Sequence, residues 1–272
     1  MVLYASLQMR VIWLIILLLM ITACNSEKEK RYIRDRFGAV TGFSETGKTL
    51  YLFFSAHDHF EGMETVLGTL EKSGVKASFF LTGECLREQA REETIRKIVD
   101  QGHYLGPHSD AHLLYVPWDV GPDRDSLLVT RDEFEKDLRR NLEALKPFVR
   151  DPENVRWFLP PYEWYNTEIV EWSVEMGLEV VNFTSGIGTN ADYTTPGMPN
   201  YRTTEEIITR LWEYEDVHGL NGKILLIHPG VGPERPDPLY ERLFEVIFLL
   251  KEKGYEFKRL KKAAHYNMCS LP

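Results

Sequence analysis

The feature that most restricts the fold of this chain is an alternation of short apolar runs with stretches of helical period, continuing from about residue 50 to residue 260. The apolar runs fall at residues 50–55, 75–81, 156–159, 178–183, 223–227 and 256–260, and helices are expected at 62–73, 84–101, 131–145, 167–176, 203–217 and 239–253. Near-continuous apolar strands separated by helices suit a parallel sheet, because each parallel connection must cross back over one face. Counting gives about seven βα units. No Gly-x-Gly-x-x-Gly follows the first strand to mark an open dinucleotide-binding sheet. The expected fold class is therefore α/β, a distorted (β/α)7 barrel of TIM-like kind, in a single domain. With 43% hydrophobic and 12% aromatic residues the body can bury a large core, and a formal charge of -9 with no basic stripe excludes a general nucleic-acid binder.

The N-terminal segment reads as an export signal. Arg10 precedes an uninterrupted apolar segment at 11–21, too short for a comfortable membrane span, and Ile21-Thr22-Ala23-Cys24 resembles a bacterial lipobox. Cys24 is then the lipidated first residue of the mature protein. Because Asn25 follows rather than the Asp that favours inner-membrane retention, the expected location is the outer membrane, periplasmic or surface-facing, through a lipid anchor. An ordinary cleaved signal and a short membrane anchor are the alternatives. Residues 1–24 are thus assigned to the signal, 25–36 to a polar tether and 37–272 to the catalytic domain, with Cys85 and Cys269 left unassigned.

In parallel barrels functional groups sit at the C-terminal ends of the strands, and five candidate clusters fall there. His108-Ser109-Asp110-Ala111-His112 puts two imidazoles four residues apart; if the chain is helical there, they share one face and converge on one metal ion. A third ligand would come from Ala56-His57-Asp58-His59, after the first apolar run. His228 follows the run at 224–227 and precedes Pro229-Gly230, while Pro160-Pro161-Tyr162-Glu163-Trp164 offers Pro161, Tyr162 and Trp164 as a platform for a sugar ring. The segment 182–192 also falls at a strand end. Two stretches, 118–130 and 186–201, are expected to shape the cleft.

The order of these motifs resembles the polysaccharide deacetylases, the NodB-homology domain of carbohydrate esterase family 4, from about residue 50 to residue 260. Ser55-Ala56-His57-Asp58-His59 falls on the family's Thr-Phe-Asp-Asp-Gly, His108-Ser109-Asp110-Ala111-His112 resembles its His-Ser/Thr-x-x-His, Leu159-Pro160-Pro161-Tyr162 falls on Arg-x-Pro-Tyr, and Leu226-Ile227-His228 is similar to Leu-x-His. The resemblance implies a metal triad of Asp58, His108 and His112 holding a divalent ion, most often zinc, with cobalt, nickel and manganese compatible with the same donors. It also implies a hydrolase that takes N- or O-linked acetyl groups from a polysaccharide or oligosaccharide.

Three positions depart from the pattern. His57 stands where the catalytic-base Asp is expected, Leu159 replaces the motif Arg, and the fourth motif's Asp has no clear counterpart in residues 184–192, where Asp192-Tyr193 matches its end only weakly. An Arg beside an imidazole base and a dication would be electrostatically unfavourable, so these changes read as one. The resulting expectation is a working enzyme in which His57 is the base, Tyr162 N–H helps hold the oxyanion and His228 protonates the leaving group. His57 as a fourth ligand or a plain strand-end residue stays open, and with a register ambiguous by one His59 competes for its roles. The alternatives in function are a catalytically degenerate glycan-binding lipoprotein and a metal-dependent amidase acting on a non-sugar substrate.

Overall fold

The computed structural model describes residues 32–261, so the leader, Cys24 and Cys269 lie outside the described residues. Its centre is β3 (Thr49–Ala56), buried along all eight residues. β3 pairs in parallel with β4 (Ser78–Leu81), β8 (Ile224–Ile227) and β9 (Glu256–Lys258), and β4 pairs with β5 (Tyr104–Pro107). β6 (Trp157–Phe158) and β7 (Glu179–Val180) form a second parallel ladder, joined to the first where Leu159 N–H donates to Pro107 O. The ring is completed through β2 (Val40–Phe43), which receives Asn182 N–H at Val40 O and bridges Lys223 from Gly42. That inserted stave is why the barrel is distorted.

Burial follows the period of two along β3. Leu50, Leu52, Phe54 and Ala56 face the helices, packing with Leu67, Leu70, Ile98, Leu243 and Ile247. Tyr51 and Phe53 face the barrel interior with Phe80, Tyr104, Trp157, Leu159 and Leu226. The covering helices are α1 (Met63–Ser73), α2 (Gly83–Arg87), α3 (Glu92–Asp100), α4 (Arg131–Leu145), α5 (Thr167–Glu175), α6 (Thr204–His218) and α7 (Leu243–Glu252). Both long charged helices start on a capping box, Thr130 with Glu133 and Thr203 with Glu206, satisfying N–H groups the first turn leaves unpaired.

Three boundaries differ from expectation. The domain begins before Phe37, because β1 (Tyr32–Arg34) pairs antiparallel with β2 and Tyr32 packs edge-on against Phe43 and Trp157. The helix expected at 84–101 breaks at Glu88, which is extended. The strand expected at 178–183 keeps only Glu179 and Val180 in the β6 ladder before its backbone switches to β2.

Candidate active site

The C-terminal ends of β3, β5, β6 and β8 surround one cavity of about 690 Å³, lined by Ser55, His57, Asp58, His108, His112, Tyr162, Glu163 and His228 among others. Its lip is aromatic, with Trp118, Tyr162 and Tyr193 all exposed.

The strongest local control is on the loop after β5. His108 N–H donates to Asn141 Oδ1 at 2.7 Å, and its ring Nδ1–H donates to the Leu159 carbonyl at 2.7 Å. A carbonyl only accepts, so Nδ1 carries the proton and Nε2 presents its lone pair. Ser109 Oγ and the N–H groups of Asp110 and Ala111 all donate to the buried Asp137 carboxylate of α4. Asp110 in turn makes two bonds to Arg87, at 2.6 and 3.1 Å. These contacts override the helix expected over 108–112: Ser109 and His112 sit in the left-handed region at φ 71 and 52. The two imidazoles still meet, with ring centroids 5.0 Å apart. Burial, reinforced by the neighbouring imidazoles, pushes His108 down to about 3 and His112 to about 2, so both rings are neutral.

The loop after β3 is held differently. Arg91 donates to the carbonyls of His57 and Asp58, at 2.7 and 2.6 Å, and fixes the backbone. The close approach of its neighbour loop needs a glycine, since a Cβ at Gly230 would stand 2.3 Å from the backbone at His59 and Phe60. The His57 ring stacks on His112 at 4.7 Å, with Nδ1 3.1 Å from Thr82 Oγ1 and Nε2 3.2 Å from Asp58 Oδ1. The direction of the bond to Thr82 follows the tautomer of the ring, since a hydroxyl can donate or accept. Both ring nitrogens of His57 thus face a protein partner, Thr82 on one side and Asp58 on the other. The Asp58 side chain is 77% exposed and turned to His57.

On the far wall, His228 N–H and Nδ1–H both donate to the buried Asp192 carboxylate, at 2.7 and 2.6 Å. Burial works against a charged ring here, yet the charge and hydrogen bond of Asp192, helped by Glu163, raise His228 above its ordinary value. Asp192 is the partner the sequence matched only weakly; it lies in the turn Thr189–Tyr193, too far along the chain from His228 for any local pattern to join them. Glu163 was also missed. Burial, opposed by His228 and aided by Asp192, pushes its carboxyl up to about 7.

The sugar platform needs correction. Tyr162 lines the cavity, but Pro161 is buried and Trp164 lies behind the wall, its indole N–H on Pro117 O and Arg124 stacked over its ring at 3.3 Å. Trp118, 58% exposed and edge-on to Tyr162 at 5.6 Å, takes the place expected for Trp164. His103 is a buried structural residue, its Nδ1 accepting from Ala77 N–H.

For a divalent cation the donor chemistry fits: two neutral imidazoles and an accessible carboxylate line one cavity, and the His108 Nδ1–H bond to a carbonyl is the usual way such a ligand is oriented. Among the described residues, however, no three His, Cys, Asp or Glu side chains are drawn together closely enough to hold an ion. The Asp58 carboxylate lies instead 3.2 Å from His57 Nε2.

A sequence model of the polysaccharide deacetylase family matches residues 44–181. An uncharacterized protein of Bacillus subtilis (strain 168), YlxY, is 27% identical over 195 residues, 72% of this chain and 50% of its own, so the chain spans half the length of that relative. Among solved structures, BA3943 of Bacillus anthracis, a CE4 family pseudoenzyme, superposes with a TM-score of 0.63 at 22% identity, covering 82% of this chain and 67% of that one. A family 4 acetyl xylan esterase of Clostridium thermocellum in complex with cobalt gives a TM-score of 0.60 at 24% identity, covering 78% and 88%. At these identities the structural likeness establishes the (β/α)7 fold.

Proposed function

The chain belongs to the polysaccharide deacetylase family, and from that premise we propose that it is a metal-dependent hydrolase removing acetyl groups, N- or O-linked, from a carbohydrate polymer or oligosaccharide. The observation that carries this reading is the cavity's set of imidazoles, two held neutral beside a third that is backed by a buried carboxylate. Asp58, His108 and His112 would hold the ion, zinc first among the metals that suit such donors; when bound, it would polarise the acetyl carbonyl and make a bound water more acidic. Asp192 favours the protonated form of His228, and with Nδ1–H given to Asp192 the imidazolium would present its second proton, on Nε2, to the leaving nitrogen or oxygen. Tyr162 N–H would face the developing oxyanion, and the rings of Trp118, Tyr162 and Tyr193 would stack on the sugar. Residues 1–24 would export the protein and Cys24 would anchor it by lipid to the outer membrane, with acetylated glycan as its partner.

Purified protein, supplemented in turn with zinc, cobalt, nickel and manganese, should release acetate from chitooligosaccharides, peptidoglycan or acetylated xylan. Two observations favour a second reading, a glycan-binding protein without turnover. Among the described residues no three donors are drawn together to hold an ion, and Leu159 stands where the family has Arg. That reading predicts saccharide binding with no acetate from any of the three substrates.

A further inference from the structure

We propose that Glu163 is the group that takes the proton from the attacking water, the role the sequence assigned to His57; the proposal rests on the deacetylase reading above. Glu163 lines the cavity alongside His108, His112 and His228. Its backbone is fixed at both ends, N–H to Pro160 O at 3.0 Å and C=O receiving Asn182 Nδ2 at 3.1 Å. Its carboxylate, by contrast, has no hydrogen bond or ion pair among the described residues. Tyr162 and Glu163 both sit in the left-handed region, φ 58 and 54, which side-chain-bearing residues avoid unless the surroundings impose it. The fold therefore holds a strained backbone that leaves a half-buried, unpartnered carboxylate facing the cavity.

Two other titratable groups that line the cavity, His59 and Glu234, are exposed to solvent, whereas Glu163 is not. On its own side stand His228 and, behind it, Asp192, whose carboxylate favours the protonated imidazole and suits it as an acid. Across the cavity, His57 faces Thr82 with one nitrogen and Asp58 with the other, while His108 and His112 are the paired ligands of the deacetylase reading. A carboxyl raised to about 7 by burial is partly ionised at neutral pH and basic enough to accept a proton. In the step, the water oxygen bonds to the acetyl carbonyl carbon as one water proton moves to Glu163. The carbonyl carbon's bond to nitrogen or oxygen then breaks, its electron pair stays on that atom, and the His228 proton completes the amine or alcohol. Acetic acid leaves, and the proton on Glu163 returns to His228 through solvent, so one water is consumed per acetyl group released.

The test compares acetate release by wild type, Glu163→Gln, Glu163→Gly and His57→Asn across pH in the metal-supplemented full chain. Glycine suits the left-handed backbone, so Glu163→Gly should fold. Both Glu163 variants should lose kcat by ~10²–10⁴-fold with KM within a few-fold. The acid limb near pH 7 should vanish in them and persist in His57→Asn, and formate should restore part of the Glu163→Gly activity. Wild-type turnover with Glu163→Gln active to within a few-fold overturns this proposal alone, as does loss of the acid limb in His57→Asn but not in Glu163→Gln. A wild type that releases no acetate from any of the three substrates overturns the deacetylase reading and this proposal with it.

Discussion

The two walls of the cavity are built to different standards. On the wall formed by β5 and β8 each imidazole is aimed by a partner: His108 by Leu159 O and Asn141, His228 by Asp192, and the loop between His108 and His112 by Asp137. On the wall after β3, Arg91 fixes only backbone, and the side chains of His57 and Asp58 hold chiefly one another. Of the substituted positions, His57 lies on this looser side, whereas Leu159 stands behind His108 on the ordered one. The contrast teaches that the acid and the loop carrying the paired imidazoles are preorganised, whereas the wall of the third donor is held less firmly and carries the substituted base position, His57.

The sharpest way to break that contrast is at His228. His228→Asn removes the proton donor from the ordered wall and should lower kcat by ~10³-fold, about 4 kcal/mol, with the melting temperature little changed. Retention of activity would show the ordered wall to be scaffold only. Asp137→Ala should come next, because it strands three buried donors, Ser109 Oγ and the N–H groups of Asp110 and Ala111. A loss of about 3 kcal/mol in urea unfolding, together with weakened metal binding, is expected.

Glu163→Gln sharpens the comparison through stability alone. The folded carboxyl titrates at about 7 against an ordinary 4.5, so the folded state binds the proton more tightly than the unfolded one. Wild-type stability therefore falls as pH rises from about 4.5 to 7. Glu163→Gln should be more stable above pH 7, by roughly 3 kcal/mol, and about equal to wild type below pH 4.5. A difference independent of pH would contradict the burial of that carboxyl. At the lip, Trp118→Ala should raise KM several-fold, about 1 kcal/mol, and leave kcat nearly unchanged. The smallest effect is expected at the solvated pair of Arg96 and Glu92, where Arg96→Ala should shift stability by less than ~0.5 kcal/mol.

Much of this architecture was legible in the sequence because period and composition write it locally. The helix Arg131–Leu145 falls where the helical period at 131–145 put it, and the apolar run at 50–55 became the fully buried β3. What failed were the places where tertiary contacts overrule local preference. His108 and His112 are not on a helix because Asp137, from α4, captures the loop's donors. The helix at 84–101 is interrupted at Glu88, and Arg91, just beyond the break, reaches the His57 and Asp58 carbonyls.

In the cavity, His57, Asp58, His108, His112, Tyr162 and His228 do meet, as the motif order implied. The His228–Asp192 pair and the unpartnered Glu163 carry little or no sequence signal, because one depends on a distant turn and the other on a backbone conformation. Trp164 and Trp118 were indistinguishable as aromatic residues near a strand end; only packing shows which of them faces the cavity.

Acetate release from an acetylated oligosaccharide by wild type and His228→Asn, assayed side by side with the ion content of each sample, bears most directly on the whole account. Turnover by the metal-loaded wild type, lost by ~10³-fold in a folded His228→Asn variant that still binds the ion, is the predicted result. A metal-loaded wild type that binds the saccharide and liberates no acetate would contradict it.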